Sequence, residues 1–238
     1  VSLTDWHVPY EDEVALALAF QFCADLQPGK IIIHEAHDFY SVSKFDKDPE
    51  RINGLQDELD KVFIYLKKLR GLCPKAEIIF LNSNHLMRLK KFLWRKAPEL
   101  CSLRSLELIS LLRLKQLNIE FKENYEYRGV LFKHGSVARK HSAYTARAEF
   151  DKELTSGVSG HTHRLGQYYT RKRGGYFSWI ECGCLCDLSP EYAEGEVMDW
   201  QQGFGLVSFK ENSNRFEMHA IPIIDNKIIW GGKEVVYD

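Results

Sequence analysis

Three short strings carry the side chains best suited to chemistry: Asp5-Trp6-His7, Ser83-Asn84-His85 and Ser159-Gly160-His161-Thr162-His163. A His-x-His pair on an extended segment or a tight turn sends both imidazoles to one side, because alternate residues of a strand share a face. Such a pair can hold one metal ion or bracket two. His134, alone after an apolar run, and the string His34-Glu35-Ala36-His37-Asp38 add further donors. Carboxylate, amide and imidazole together suit Mn²⁺, Fe or Zn²⁺ better than Mg²⁺ or Ca²⁺. With donors at Asp5, His7, Asn84, His134, His161 and His163 and a carboxylate between them, two ions are favoured over one. Two ions about 3.5–4 Å apart are the usual device for clamping a phosphoryl group and activating a water.

The elements that must position these residues follow from patterning. Val1 to Thr4 read as a short strand ending at Asp5, and Pro9 with Glu11, Asp12 and Glu13 makes an acidic start for a helix running to about Leu26. Ile31-Ile32-Ile33 suits a buried parallel strand. Ile52, Leu55, Leu59, Val62, Leu66 and Leu69 follow at helical spacing, and Glu77 to Leu81 makes a third strand after Pro74. In an open α/β sheet, ligands bind outside the carboxyl ends of the strands, so Asp5/His7, the His34 to Asp38 segment and Asn84/His85 are expected to converge on one edge. A helical stretch from Leu86 to about Leu114 comes next. Strands are then predicted at Tyr127–His134, Gly157–Gly160, Gln167–Thr170, Tyr176–Cys182, Phe204–Lys210 and Arg215–Ile223, with one helix at Ser142–Leu154 and turns at Gly174-Gly175 and Asn212 to Asn214. No linker or repeat separates the halves, so residues 1–238 are read as one domain with a second sheet packed on the first.

Composition narrows the function classes only a little. Apolar residues make up 45%, charged residues 27%, and the net charge is −1, ordinary for a soluble globular chain with no preference among partners. Six cysteines lack the spacing of a secreted disulfide framework, and no signal peptide or membrane-spanning run is evident, which points to a reducing, cytoplasmic setting without membrane association. The alternating Cys182, Cys184 and Cys186 are read either as a thiolate metal site or as one face of a buried strand, with zinc knuckles more often using Cys-x-x-Cys. The chain begins at Val1 and reaches Asp5 at once, which leaves room for a trimmed chain or a piece of a larger protein. Arg88, Lys90, Lys91, Arg95 and Lys96, and again Arg164, Arg171, Lys172 and Arg173, are either solvated faces or a cationic rim for a phosphate-rich substrate. Tyr40, Trp94, Tyr168 and Tyr169 are core aromatics or stacking platforms for bases. His141 is read as a solvated residue or a neighbour of the ligands.

The ordered blocks resemble those of the calcineurin-like metallophosphoesterase superfamily: D-x-H, G-D-x-x-D, G-N-H-[DE], a lone His after a strand, and G-H-x-H. Asp5-Trp6-His7 matches the first, Leu131 to Gly135 resembles the fourth through His134, and Gly160 to His163 matches the last. The resemblance spans nearly the whole chain. It implies an α/β fold, a four-layer αββα sandwich of two mixed β-sheets flanked by helices. It also implies a dinuclear centre, Mn most of all with Fe or Zn also fitting, in which Asp5, His7 and His163 hold one ion and Asn84, His134 and His161 the other. Glu35 takes the place of the bridging aspartate, and His34 that of the glycine before it. His85 then protonates the leaving oxygen or steadies the phosphate, with Asp38 as its orienting partner. Ser83-Asn84-His85-Leu86 keeps the ligand and the histidine but not the flanking glycine and acid.

The implied activity is hydrolysis of a phosphomonoester or phosphodiester by a metal-activated water, with nucleic acid left open as a partner. The altered Glu35 and Ser83 positions motivate an alternative: a metal-poor relative that binds nucleic acid or another phosphate-rich ligand without hydrolysing it. His34 and His37 could instead serve as extra ligands in a rebuilt site. The His-Glu-Ala-His string is not a zincin motif, which needs one more residue between the histidines and a helix beneath them.

Overall fold

The computed structural model describes residues 1–44, 54–190 and 197–236. Four strands of its first sheet run parallel: β1 (Ser2–Leu3), β2 (Lys30–Ile33), β3 (Glu77–Leu81) and β4 (Ile119–Lys122). The fourth was not expected from the sequence. Helices connect them. α1 (Glu13–Leu26) starts where the acidic run predicts, with Asp12 Oδ1 accepting the backbone N–H groups of Val14 and Ala15 at 3.0 and 2.9 Å. That cap satisfies two of the donors a helix start leaves open. α2 (Leu55–Leu72) buries Leu59, Val62, Leu66 and Leu69 as the spacing predicts, while Ile52 lies outside the described residues.

The predicted long helix after His85 is shorter than expected. α3 (Leu86–Lys96) stops before Pro98, because a proline disfavours helical backbone in the residue before it. The rest is 3₁₀ turns and one short helix, α4 (Leu108–Leu111).

The predicted strand Tyr127–His134 is likewise corrected. Arg128 and Gly129 both adopt positive φ and fold the segment into a hairpin of β5 (Tyr125–Tyr127) and β6 (Val130–Phe132). These join β7 (Ser156–Ser159), β8 (Leu165–Lys172) and β9 (Gly175–Cys182) in a second sheet ordered β5-β6-β7-β9-β8, with β6, β7 and β9 parallel. α5 (Tyr144–Glu153) precedes β7. β10 (Gly203–Phe209) and β11 (Phe216–Pro222) return to the first sheet beside β1, and β12 (Ile228–Trp230) with β13 (Lys233–Val235) forms a small separate hairpin. The protein is thus α/β, with two mixed sheets and flanking helices. Among the described residues no helix is long and apolar enough to cross a membrane.

Strand alternation distributes the core. Ile31, Ile33, Ile78 and Phe80 pack with α1 and α2, whereas Ile32, Ile79 and Leu81 face Val130, Phe132, Val158 and Ile180 of the second sheet. On the far side of that sheet, Trp179 packs with Ala146 and Phe150 of α5. The carboxyl ends of β1, β2 and β3 and those of β6 and β7 lead into the segments that carry the candidate ligands.

Candidate metal centre

Asp5 and His7 follow β1 and both occupy left-handed backbone, φ 51° and 53°. His161 and His163 follow β7 with φ 79° and 59°. Positive φ is costly for residues with a Cβ, and such strain concentrates where function holds it in place. The two D-x-H and H-x-H pairs therefore converge through kinked backbone. Gly160 permits it: a Cβ there would collide with Thr4 Oγ1 and Asp5 Oδ2. Across this close approach the His161 backbone N–H donates to Asp5 Oδ2 at 2.9 Å, and Thr4 Oγ1 donates to the same oxygen at 2.5 Å.

The first group of donors is Asp5, His7 and His163. His7 Nε2 lies 2.9 Å from His163 Nε2 and 3.4 Å from Asp5 Oδ1, and His163 Nε2 lies 3.6 Å from Asp5 Oδ1. Donors about 2.0–2.2 Å from a shared ion stand roughly 3–3.5 Å apart, so this spacing suits one ion. In the second group Asn84 Oδ1 meets His134 Nε2 at 2.6 Å and His161 Nδ1 at 3.2 Å. Asn84 is exposed and His161 half-buried, so this group faces solvent while the first is enclosed.

Glu35 stands between them. Its Oε2 is 3.8 Å from His7 Nε2 and 3.4 Å from His134 Nε2, and its Oε1 is 3.5 Å from His85 Nδ1. Buried Asp5 Oδ1 and Glu35 Oε2 have no hydrogen-bond partner, a costly state for a carboxylate oxygen unless a cation meets it. These buried histidine and carboxylate clusters could hold metal ions.

Two positions that depart from the superfamily pattern touch one another: the Ser83 hydroxyl donates to Glu35 Oε1 at 2.7 Å and accepts the Leu86 backbone N–H at 3.3 Å. The hydroxyl thus grips the longer acid. The expected partner of His85 is also in place. Asp38 Oδ2 lies 3.4 Å from His85 Nδ1 and equally far from His7 Nδ1.

Arg88, grouped in the sequence only with a basic run, belongs to this site. It donates to Asp38 Oδ1 at 2.6 Å and to His85 Nε2 at 2.8 Å. Its place one helical turn after His85 was the available signal. Lys90, Lys91, Arg95 and Lys96 are exposed, as are Arg171, Lys172 and Arg173, while Arg164 pairs with Asp199 at 3.1 Å. Of the aromatics, Trp94 and Tyr169 are exposed and Tyr40 and Tyr168 half-buried. His141 is exposed beside Tyr144.

His34 and His37 stand apart from both donor groups. The His34 ring bonds the Lys133 carbonyl at 2.8 Å through Nδ1, and His37 stacks on Phe80 with ring centroids 5.6 Å apart. Burial lowers their pKa values to about 4 and about 3, so both are neutral core residues.

The cysteine triplet does not share one face. Gly183, at φ +73°, kinks the chain after β9, so Cys182 packs between the sheets while Cys184 and Cys186 turn toward His163.

Electrostatics fit the same picture. Burial pushes Glu35 up to about 8, reinforced by Asp5 and Asp38 and opposed by His7. Burial lowers His134 to about 3, leaving it neutral and able to ligate. For His7 burial also acts downward, but Asp38, Asp5 and Glu35 outweigh it and hold its pKa well above the ordinary imidazole value. Without a cation, His7 keeps a proton that an ion arriving at its Nε2 must displace. Metal binding is therefore expected to release protons and to weaken as the pH falls. Calorimetric titrations in buffers of different ionisation enthalpy check this, and an apparent enthalpy independent of buffer would contradict it.

No model of a known protein family matches the chain. It is similar along nearly its whole length to two curated phage proteins. The Gene 54 protein of Mycobacterium phage D29 is 27% identical, with 95% of this chain and 94% of that protein aligned. The Gene 54 protein of Mycobacterium phage L5 is 26% identical, with 98% and 96% aligned.

Proposed function

We propose that this protein is a dinuclear metal-dependent phosphoesterase of the calcineurin-like kind, a single-domain four-layer αββα sandwich that hydrolyses a phosphomonoester or phosphodiester. The observation carrying this reading is the buried Glu35 Oε2, without a hydrogen-bond partner and 3.8 Å from His7 Nε2 and 3.4 Å from His134 Nε2. A carboxylate so placed joins two donor groups that would otherwise be separate mononuclear sites. The layering draws support from three apolar clusters, one against α1 and α2, one between the sheets and one beneath α5.

Asp5, His7 and His163 would hold one ion and Asn84, His134 and His161 the other, with Glu35 placed between the two groups. The mixed donor set favours Mn²⁺, with Fe or Zn²⁺ also accommodated. Bound there, the ions supply charge neutralisation for the phosphoryl oxygens and an acidified water. The chain itself positions the substrate edge. Arg88 is always charged and can steady phosphoryl oxygens bidentately. Burial, together with His7 and Arg88, pushes the His85 pKa down, so its imidazole is neutral. With Arg88 donating to Nε2, the ring proton sits on Nδ1, facing Asp38 and Glu35. For His85 to hand a proton to a leaving oxygen from Nε2, the substrate must draw Arg88 away and that nitrogen must then take up a proton from water, the Nδ1 proton staying toward Asp38.

Replacing His161 or Asn84 by alanine is expected to abolish hydrolysis of a chromogenic phosphodiester in the presence of Mn²⁺. Undiminished turnover in either variant would sink the reading. A wild-type protein that carries no metal and binds nucleic acid without cleaving it would support the binding-only alternative instead.

A further inference from the structure

We propose that Cys184, Cys186 and the Nδ1 of His163 form a separate, thiolate-rich site for a zinc-like ion beside the centre described above. The three ligand atoms lie within 4.8 Å of one another, with Cys186 Sγ 4.0 Å from His163 Nδ1. An ion about 2.3 Å from sulfur and about 2.0–2.1 Å from nitrogen holds such atoms roughly 3.5–3.8 Å apart, so the Cys186–His163 pair closes with a shift of a few tenths of an ångström and no pair needs more than about 1 Å. The site requires only these three atoms and does not rest on the hydrolytic reading.

The backbone sets up the triad. A strand continuing straight from β9 would keep Cys182, Cys184 and Cys186 on one face, in the inter-sheet core. The left-handed Gly183 breaks that alternation, and a Cβ there would meet the Gln201 carbonyl at 2.5 Å. Beyond the kink, the Cys184 N–H donates to the Gln201 carbonyl at 3.0 Å and the Leu185 N–H to the Asp5 carbonyl at 3.1 Å, which pins the Cys-x-Cys segment against the ligand loop of β1. Both thiols are buried, and Trp200 walls the other side of His163 with ring centroids 4.2 Å apart.

His163 presents a different nitrogen to each site, Nε2 toward Asp5 and His7 and Nδ1 toward the thiols. A metal-bound histidine ordinarily directs its second nitrogen to a carboxylate, a carbonyl or water. Here that nitrogen meets two sulfurs instead. Soft thiolates and an imidazole select Zn²⁺ or a similar thiophilic ion, whereas the mixed oxygen and nitrogen donors of the first centre, which include no sulfur, suit Mn²⁺. Each thiol releases its proton to solvent as it binds, and with both sites filled the His163 ring also releases its remaining N–H proton to solvent and is shared as an imidazolate.

Cobalt reports the two environments separately. Reduced wild-type protein titrated with Co²⁺ should show sulfur-to-cobalt charge-transfer absorption in the near ultraviolet. Cys182→Ser should keep that band. The Cys184→Ser/Cys186→Ser double variant should lose it and bind one ion fewer per chain. Glu35→Gln should retain it, so a failed phosphoesterase reading leaves this result standing. Cobalt-loaded wild-type protein without the band, or a band surviving in the double variant, would overturn the proposal. Should the double variant not fold, zinc-edge absorption spectroscopy on the wild-type protein decides between the same outcomes: sulfur scatterers at about 2.3 Å support the site, and a shell of nitrogen and oxygen alone refutes it.

Discussion

On the phosphoesterase reading proposed above, Glu35→Gln should lower bound metal below two equivalents per chain and phosphodiester turnover by at least about 100-fold, since even outer partners of metal ligands are worth about 10–100-fold in affinity or activity. The substitution keeps the shape of the side chain and removes the acid between His7 and His134 that becomes a carboxylate when an arriving cation displaces its proton. Elemental analysis and turnover, measured on the same preparation, provide the check. Two full equivalents of metal in the variant would show that Glu35 is not the bridge.

The grip of Ser83 on Glu35 Oε1 at 2.7 Å makes a sharper expectation. Glu35→Asp alone shortens the acid and leaves the Ser83 hydroxyl without its acceptor. Ser83→Gly alone leaves Glu35 unrestrained. The double substitution Glu35→Asp/Ser83→Gly, which installs the aspartate and glycine of the blocks that the chain resembles, should bind metal better than the sum of the singles predicts. Contacting residues couple by about 0.5–3 kcal/mol, and a double-mutant cycle on metal affinity reads this directly. Strict additivity would mean that the two departures are unrelated.

Gly160→Ala is the second large effect. The added methyl would collide with Thr4 Oγ1 and Asp5 Oδ2, so the loop after β7 must move away from the loop after β1. That separation breaks the His161 N–H bond to Asp5 and pulls His163 from Asp5 and His7. Overpacking a close contact costs about 1–3 kcal/mol of stability on its own account. Beyond this, the wild-type protein should gain thermal stability on adding Mn²⁺ or Zn²⁺, because a ligand that binds only the folded state stabilises it, and Gly160→Ala should gain little or none. Equal metal-induced shifts in melting temperature would refute the role assigned to Gly160.

Much of the scaffold was legible because burial leaves a periodic trace. The apolar runs of β2 and β3 and the spacing of Leu59, Val62, Leu66 and Leu69 are direct consequences of which faces meet a core. Elements whose existence depends on distant partners were not legible. β4 carries only a short apolar stretch and becomes a strand because β3 offers it an open edge. The segment Tyr127–His134 has strand-like residues, yet positive φ at Arg128 and Gly129 divides it, a backbone choice that side-chain pattern does not encode.

The sequence by itself determined the donor chemistry of this protein. Asp5, His7, Asn84, His134, His161 and His163 offer mixed oxygen and nitrogen donors, and strand order already places Asp5, His7 and Asn84 at the carboxyl edge of the first sheet. Side-chain identity and strand order are local properties, carried by adjacent residues. Only the tertiary structure decided which way each side chain faces. It placed Glu35 between the two donor groups, set Ser83 on that carboxylate, brought Arg88 to His85 and Asp38, excluded His34 and His37, and turned Cys184 and Cys186 toward His163. Most of these depend on contacts between segments far apart in the chain, and the turn of Cys184 and Cys186 also on the left-handed Gly183. Such contacts arise when two sheets pack, and no single segment contains the information for them.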